Sequence, residues 1–264
     1  MTKRGGRKRG KVPSAGRSLS IVGVLGELLI TGGALVLLFL GWQLWWNDMV
    51  VANQQTQAAT EISRHWIEQA PSAPPSTQPT ANPAEPVVAA QPGKGEAFAV
   101  LYIPRYGEDY HRTIGQGTGL SVLNSPRLGI GHYPDTQMPG EVGNFAVAAH
   151  RSANGGGMHL IDTFQLGDPI YVQTADGYYT YRFRDLQYVK PSAVEVLAPV
   201  PNEPGATPTD RIITLTSCNP LYSTAERVIA YGVFESWRPT SAGPPAELAP
   251  IITAQARAAA KAQG

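Results

Sequence analysis

The sequence has one cysteine in 264 residues, Cys218, so no disulfide can form within the chain. Acidic residues are missing from positions 1–18, which carry seven Lys or Arg, although the whole chain has a net charge of only +1. The remainder is therefore net acidic, which argues against nucleic acid as the main partner. The five histidines form no cluster with metal-ligand spacing, so the sequence predicts no metal site and no cofactor.

Charge is also missing from a long apolar stretch near the N-terminus. Residues 28–46 give 19 uncharged positions, close to the ~20 needed to cross a bilayer, and tryptophans end the run, as at a membrane interface. A cleaved signal peptide is the alternative, but the run is longer than a signal core and no small-residue cleavage site follows it. Because the positive residues come first, we predict a cytoplasmic basic tail (1–18) and a single transmembrane helix (19–46) in the cell membrane, with everything after it extracytoplasmic.

Three further segments are predicted to lie outside the folded domain. Residues 47–70 are polar and rich in Gln and Ala, typical of a helix that continues from the membrane or lies just above it. Residues 71–92 contain seven prolines, so we predict an extended, semi-rigid stalk over 47–95. Residues 239–264 turn to Pro, Ala and Gly and are predicted to be a flexible or weakly helical tail.

Between them, residues 96–238 have the size of one domain, and nearly all of its patterns are those of β-strands. Only residues 157–164 look helical. Short strands with Gly and Pro between them favour a barrel or a sandwich. The predicted strands are 98–103, 128–133, 144–150, a hairpin over 168–183 with Asp176-Gly177 in its turn, 186–189, 194–197, 211–218 and 227–234.

Cys218 ends an alternating, β-branched strand, and Pro220 stops that strand because proline has no N–H for the ladder. The next strand begins at Arg227. If the two strands pair antiparallel, their backbones lie about 5 Å apart and the thiol meets a guanidinium. A lone thiol outside the cell is a buried apolar group, an intermolecular link or a nucleophile, and the residues alone leave these open.

A nucleophilic thiol usually has a histidine as its base. His65 lies in the predicted stalk, and His111 and His159 are predicted to be solvated surface residues. His132 ends a strand and is a candidate for lining a site. His150 ends a strand of small apolar residues and opens into a Gly-rich loop that we expect to be flexible, which is where catalytic groups are often held, although a core or capping histidine is the alternative.

Together these residues resemble a known family. The matching segments are Gly143-Asn-Phe-Ala-Val-Ala-Ala-His150-Arg, Thr214-Leu-Thr-Ser-Cys218 and Arg227. They resemble the His, TLxTC and Arg signature of sortases, the cysteine transpeptidases of Gram-positive surfaces, over residues 96–238. Ser217 departs from the usual threonine. The detail is most similar to class E, the housekeeping sortases of actinobacteria, on Gly131-His-Tyr-Pro134, Gly26-Glu-Leu-Leu-Ile, Gln43-Leu-Trp-Trp and Cys218-Asn-Pro.

The resemblance implies an all-β fold, a closed barrel of about eight strands with one or two short helices, preceded by the transmembrane helix. It implies that Cys218 attacks the Thr–Gly carbonyl of a C-terminal sorting signal to form a thioacyl enzyme. His150 would act as general acid and base, and Arg227 would stabilise the oxyanion. The partners implied are surface proteins with a Leu-Ala-x-Thr-Gly or Leu-Pro-x-Thr-Gly signal, and a peptidoglycan amine as acceptor.

The same resemblance suggests where the signal binds. Tyr133 is a candidate contact for the alanine of Leu-Ala-x-Thr-Gly, or else a packing tyrosine, and Thr216, Ser217 and Asn219 are further candidates around the thiol. Loops 198–210 and 219–226 are expected to form walls of the groove.

Three other functions remain open. A non-catalytic surface module would make Cys218 a buried apolar group. A hydrolytic cysteine protease would differ only in using water as the acceptor. An L,D-transpeptidase would also work on the wall, but its cysteine typically follows a glycine, which is absent here.

Overall fold

The computed structural model describes residues 20–42, 46–70 and 85–262. Contacts divide the chain into two compact units, one up to residue 43 and one from residue 44 onward. The described part of the first unit is helix α1 (Ile21–Gly41), 21 residues long, with Glu27 as its single charge. At 1.5 Å per residue this helix is about 31 Å long, which matches the hydrocarbon core of a bilayer. The basic tail predicted for 1–18 lies outside the described residues.

The second unit contains a closed barrel of eight strands. The strands are β1 (Ala97–Tyr102), β2 (His111–Gln116), β3 (Gly129–His132), β4 (Gly143–Ala149), β5 (Pro169–Gln173), β6 (Gly177–Val189), β7 (Arg211–Asn219) and β8 (Glu226–Pro239). Their order around the barrel is β1-β2-β3-β4-β7-β8-β6-β5, and β5 returns to pair with β1. The prediction of a closed barrel of about eight strands is confirmed.

Two of the eight strand pairs are parallel, β2 with β3 and β4 with β7. The β4–β7 pair brings His150 and Cys218 close together, because parallel strands have their carboxyl ends at the same end of a sheet. Every second residue of each strand points into the barrel, for example Val147, Leu215 and Ala230, all fully buried. Burying one large aliphatic side chain contributes about 1.5–3 kcal/mol, so this alternation fixes which face of β4, β7 and β8 is turned outward.

The structure differs from the sequence-based prediction at β2. His111 was expected in a solvated turn, but it begins a strand and is 1% exposed. The sequence of β2, His-Arg-Thr-Ile-Gly-Gln, lacks an alternating apolar pattern because its outward residues are polar and are covered by helix α2 (Asn47–Gln69). Thr60 of that helix is hydrogen-bonded with His111 Nε2 at 2.7 Å.

Two smaller predictions were also wrong. Residues 194–197, expected as a strand, form a 3₁₀ turn whose backbone has no strand partner in the described barrel. The helix expected over 157–164 is reduced to a 3₁₀ turn at Ile161–Thr163. In each place one apolar residue, Val196 or Ile161, is buried from a connecting segment, so apolar content alone did not reveal the local backbone.

Helix α2 packs against the barrel, so the structure also differs from the stalk predicted for 47–95. Ala59 and Ser63 of this helix are buried against the barrel, and Ser63 Oγ donates to Gln173 Oε1 at 2.7 Å. Residues 71–84 of that segment lie outside the described residues. Beyond β8, Leu248 is fully buried and leads into helix α4 (Ala249–Ala262), which contacts α2. A four-residue helix, α3 (Leu120–Leu123), lies between β2 and β3.

Candidate active site

Strand register brings Cys218, Arg227 and His150 to one level of the barrel. Cys218 on β7 lies directly opposite Arg227 on β8. On the other side of β7, the parallel register pairs Ala148 with Thr216. Ser217 Oγ donates to the carbonyl of Ala149 at 2.8 Å, so the next residue of each strand, Cys218 and His150, emerges at the same end.

Side-chain alternation places these three groups on one face. Ala149 and Val228, the neighbours of His150 and Arg227, point into the core. Ser217, the neighbour of Cys218, is 3% exposed and also points inward. A thiol, an imidazole and a guanidinium therefore project outward from three adjacent strands.

The thiol itself is accessible. Cys218 is free and partly exposed. Arg227 Nη1 donates to the carbonyls of Thr224 at 3.1 Å and Glu226 at 2.8 Å, which holds the guanidinium at its end of β8. No other hydrogen bond of this guanidinium is found within the described residues, so it has N–H groups left for a ligand oxygen.

His150 is placed to act as a base. Its Nε2 is 2.8 Å from Asn124 Oδ1, and because an amide oxygen only accepts, Nε2 carries the proton and Nδ1 is the basic nitrogen. Burial lowers the pKa of His150 below its ordinary value, and the negative charge of Asp48 partly opposes that change. The imidazole is therefore mainly neutral at neutral pH.

Sequence reasoning missed Arg151, which links the two strand ends. It is 6% exposed, and its Nη1 donates to Asn219 Oδ1 while its Nη2 donates to Asp162 Oδ2. Asn219 Nδ2 in turn donates to Glu226 Oε2 at 2.8 Å. One buried guanidinium thus connects the residue after His150 to the residue after Cys218. Its place directly after His150 was the only sequence signal for it.

The Gly-rich loop after His150 is held in place, in contrast to the flexible loop predicted. Met158 is fully buried and its N–H donates to the carbonyl of His150 at 3.0 Å. His159, exposed as predicted, donates from Nδ1 to the carbonyl of Arg151 at 3.0 Å. Gly155 has a φ of +87°, and a Cβ there would lie 2.6 Å from Gln55 Oε1, so only glycine lets the loop approach α2 this closely.

His132 does not line the site. It is fully buried and its ring packs against Phe98 and Phe145 in the barrel interior. Its Nδ1 is hydrogen-bonded with Gln116 Oε1 at 2.8 Å. The prediction failed because β3 is buried on both faces, so its last residue points inward.

The four candidate substrate contacts fall into two groups. Tyr133 OH is hydrogen-bonded with Thr216 Oγ1 at 3.1 Å. Thr216 lies on the outward face of β7, two residues before Cys218. Ser217 points inward and its hydroxyl is used between strands, so it is unavailable to a substrate. Both polar atoms of the Asn219 side chain are used by Arg151 and Glu226.

The connection from β6 to β7 covers the outward face of β4 beside Tyr133. Asn144 Nδ2 donates to the carbonyls of Val196 and Ala198 at 3.1 and 3.0 Å. Asn202 Nδ2 donates to Tyr231 OH at 3.3 Å. This connection, which contains the loop predicted as a wall (198–210), is therefore anchored to the strands beneath it. Within the described ranges, no group of three or more His, Cys, Asp or Glu side chains could hold a metal ion.

A comparison with protein families matches residues 101–235 to the sortase domain. Sortase SrtE1 of Streptomyces coelicolor is 34% identical over 246 residues, which cover 90% of this chain and 64% of that relative.

Two solved structures resemble the fold. The SrtA sortase from Actinomyces oris is 42% identical, with a TM-score of 0.58, over 62% of this chain and 93% of that one. Sortase E1 from Streptomyces coelicolor, solved with a tripeptide in the active site, is 37% identical, with a TM-score of 0.54, over 58% of this chain and 97% of that one.

Proposed function

We propose that the chain, which belongs to the sortase family and is similar to class E sortases, is a membrane-anchored cysteine transpeptidase. It cleaves a C-terminal sorting signal between Thr and Gly and joins the new carboxyl end to an amine of peptidoglycan. The observation that carries the proposal is the outward placement of His150, Cys218 and Arg227 at one level of three adjacent strands.

The chemistry has two steps. The sulfur of Cys218 attacks the Thr carbonyl carbon as its thiol proton passes to His150, and Arg227 donates hydrogen bonds to the oxygen as it becomes negative. The C–N bond breaks, His150 gives a proton to the departing glycine amine, and a thioester remains. An acceptor amine then attacks the thioester carbon and gives its extra proton to His150. The C–S bond breaks with its electron pair going to sulfur, and an amide is formed.

The neutral state of His150 suits the second step. A base must be unprotonated to take the amine's proton, and burial keeps the pKa of this imidazole below its ordinary value. His150 then returns that proton to the sulfur, which restores the thiol and the neutral imidazole for the next cleavage. One histidine can therefore serve both steps.

The sorting-signal peptide is assigned to the surface beside Tyr133 and Thr216. Thr216 lies two residues, about 7 Å, before Cys218 along β7, and Tyr133 is hydrogen-bonded to it. The anchored β6–β7 connection forms one side of this site. A tripeptide in the active site of sortase E1 supports a peptide as the occupant. We assign a Leu-Ala-x-Thr-Gly signal, with Tyr133 contacting the alanine.

The anchor is assigned to residues 19–46, with the basic tail 1–18 in the cytoplasm. Helix α1 has the length and composition to cross a membrane. The seven positive residues before it favour an inside N-terminus, so the barrel is extracytoplasmic.

The test uses the full chain in detergent micelles, a fluorescent Leu-Ala-x-Thr-Gly peptide and triglycine as acceptor, followed by mass spectrometry. We expect a ligated product, a covalent peptide adduct on Cys218 and loss of both in Cys218→Ala. Arg227→Ala should slow cleavage by about 10²- to 10³-fold. Arg238→Ala, on the exposed far end of the same strand, is the matched control and should leave the rate unchanged.

Each rival function predicts a different result. A protease gives hydrolysed peptide even at saturating triglycine. A binding module gives neither product nor adduct from the wild type. An L,D-transpeptidase-like enzyme ignores the sorting peptide and forms its adduct with a wall stem peptide instead.

A further inference from the structure

An open pocket of about 290 Å³ lies beside His150 and has no part in the roles assigned above. Three segments line it: the start of α2, the loop after His150 and the loop after Cys218. The lining residues are Asp48, Met49, Ala52, Ser152, Gly155, Gly156, His159 and Tyr222. The two catalytic loops thus meet α2 at one cavity.

The pocket shares no lining residue with the site assigned to the sorting signal. Tyr133 and Thr216 precede the catalytic level along β4 and β7, because Tyr133 N–H donates to the carbonyl of Ala146. The pocket is built from residues that follow His150 and Cys218 in the chain. An acceptor in the pocket therefore leaves Tyr133 and Thr216 available to the sorting signal.

The pocket has a negative charge without a protein partner. Asp48 is half-buried in the first turn of α2 and forms no ion pair with any described residue. Its charge reaches His150, where it acts against the effect of burial on the pKa. A cation in the pocket would compensate this carboxylate beside the catalytic base.

An aromatic ring is presented at the same pocket. Tyr222 is 80% exposed and has a φ of +64°, a backbone conformation that costs a bulky residue free energy. An exposed ring in such a backbone has no packing reason to be there, whereas the face of a tyrosine attracts an ammonium group. A carboxylate and an aromatic face are together the groups that recognise a primary ammonium.

We propose that this pocket is the acceptor subsite, where Asp48 and Tyr222 hold the cationic amine of the incoming nucleophile next to His150. The proposal rests on the transpeptidase function given above. The acceptor binds as R–NH₃⁺, releases one proton to solvent and attacks the thioester as R–NH₂, and its second proton goes to His150. The carboxylate thus concentrates the amine at the sulfur without taking part in cleavage of the signal.

The test separates acceptor binding from cleavage. Full-length Asp48→Asn in detergent is compared with the wild type and with Glu68→Gln, which removes the same charge from an exposed position of α2. Without an acceptor, we expect Glu68→Gln to cleave the sorting peptide at the wild-type rate. The cleavage rate of Asp48→Asn, whose lost charge also lowers the pKa of His150, is measured as the baseline for its ligation. With triglycine, Asp48→Asn should need an about three- to tenfold higher acceptor concentration for half-maximal ligation. Tyr222→Asn, which suits a left-handed backbone, should show a similar rise, and Tyr222→Phe should not.

An uncharged acceptor gives the decisive control. Hydroxylamine is neutral at pH 7.5, so the hydroxylamine concentration for half-maximal product should be the same in the wild type and in Asp48→Asn. Raising NaCl to 1 M, where the Debye length is about 3 Å, should weaken triglycine use by the wild type only. Equal triglycine dependence in the wild type and Asp48→Asn, or an equal loss with hydroxylamine, overturns the proposal. Absence of cleavage in the wild type refutes the transpeptidase function instead.

Discussion

Gln55 of α2 offers a direct test of whether this helix belongs to the catalytic unit. Its side chain is fully buried, and Nε2 donates to the carbonyls of Ser125 at 2.9 Å and Asn154 at 3.0 Å. Asn154 lies in the loop that follows His150. Gln55→Ala removes both bonds and opens space against Gly129 and Gly155, which approach this side chain closely.

The cost follows from those contacts. Each hydrogen bond contributes a net of about 1 kcal/mol, and leaving a buried carbonyl unpaired costs about 1–3 kcal/mol. We expect the free energy of unfolding of the second unit to fall by about 2–4 kcal/mol, or its melting temperature by about 5–15 °C. Ligation should also slow at temperatures where the variant stays folded, because the loop bearing His150 loses its contact with α2.

Gln57→Ala is the matched control, since Gln57 is exposed on the same helix and alanine is the better helix former. Urea titration followed by tryptophan fluorescence measures the stability of all three proteins in the same detergent. If Gln55→Ala and Gln57→Ala unfold at the same urea concentration, α2 does not pack on the barrel as described. The acceptor pocket would then lack the wall that α2 provides.

Two further predictions concern the buried ionisable groups. Arg151→Met should lower the free energy of unfolding by about 2 kcal/mol and should slow peptide cleavage. This is less than the roughly 3–5 kcal/mol of a fully buried pair because Asp162 is 40% exposed. Arg151→Lys should not restore cleavage, since one ammonium cannot reproduce the two-armed contact; full rescue by lysine would contradict this role. Burial lowers the pKa of both His111 and His132 to about 4, so the unfolded chain takes up these protons near pH 6.5 and the folded chain does not. Stability should be complete above pH 6.5 and fall by about 2 kcal/mol per histidine at pH 5. A urea midpoint equal at pH 7.5 and pH 5 would contradict the burial of both rings, and the exposed His65→Gln should leave the pH dependence unchanged.

The sequence predicted those parts of the fold whose residue pattern matches their environment. The strands around His150 and Cys218 alternate or are uniformly apolar because they form the barrel wall, so their ends could be placed within a residue or two. Pairing of Cys218 with Arg227 followed from a short connection between two strands. The sequence could not show that His150 joins them, because that contact depends on the parallel β4–β7 pairing of segments 68 residues apart.

The parts that sequence reasoning missed are held by polar contacts. Helix α2 presents Gln55 and Ser63 to the barrel beside Ala59, Ile62 and Trp66, so polar residues interrupt the apolar stripe that marks a packed helix. Strand β2 presents His111 and Arg112 to that helix, and Arg112 Nη1 donates to Thr56 Oγ1 at 2.6 Å. Each segment can be polar because the other supplies its hydrogen-bond partners. Neither sequence pattern therefore indicates a packed element by itself. Asp48 and Tyr222 were missed for the same reason, since the pocket exists only once α2 is in place.

The division of labour along β4, β7 and β8 explains how the site can vary without loss of the fold. The inward neighbours Ala149, Ser217 and Val228 fix the register through the core and the Ser217 hydroxyl. The outward residues at that level, His150, Cys218 and Arg227, pack against nothing in the barrel interior. Their chemistry is therefore set by what lies above the sheet: burial and Asp48 for the imidazole, the β7–β8 turn carbonyls for the guanidinium, and Arg151 for the loop between them. Because these covering segments come from α2 and from loops, a substitution at a residue such as Asp48 leaves intact the strand register that positions His150, Cys218 and Arg227.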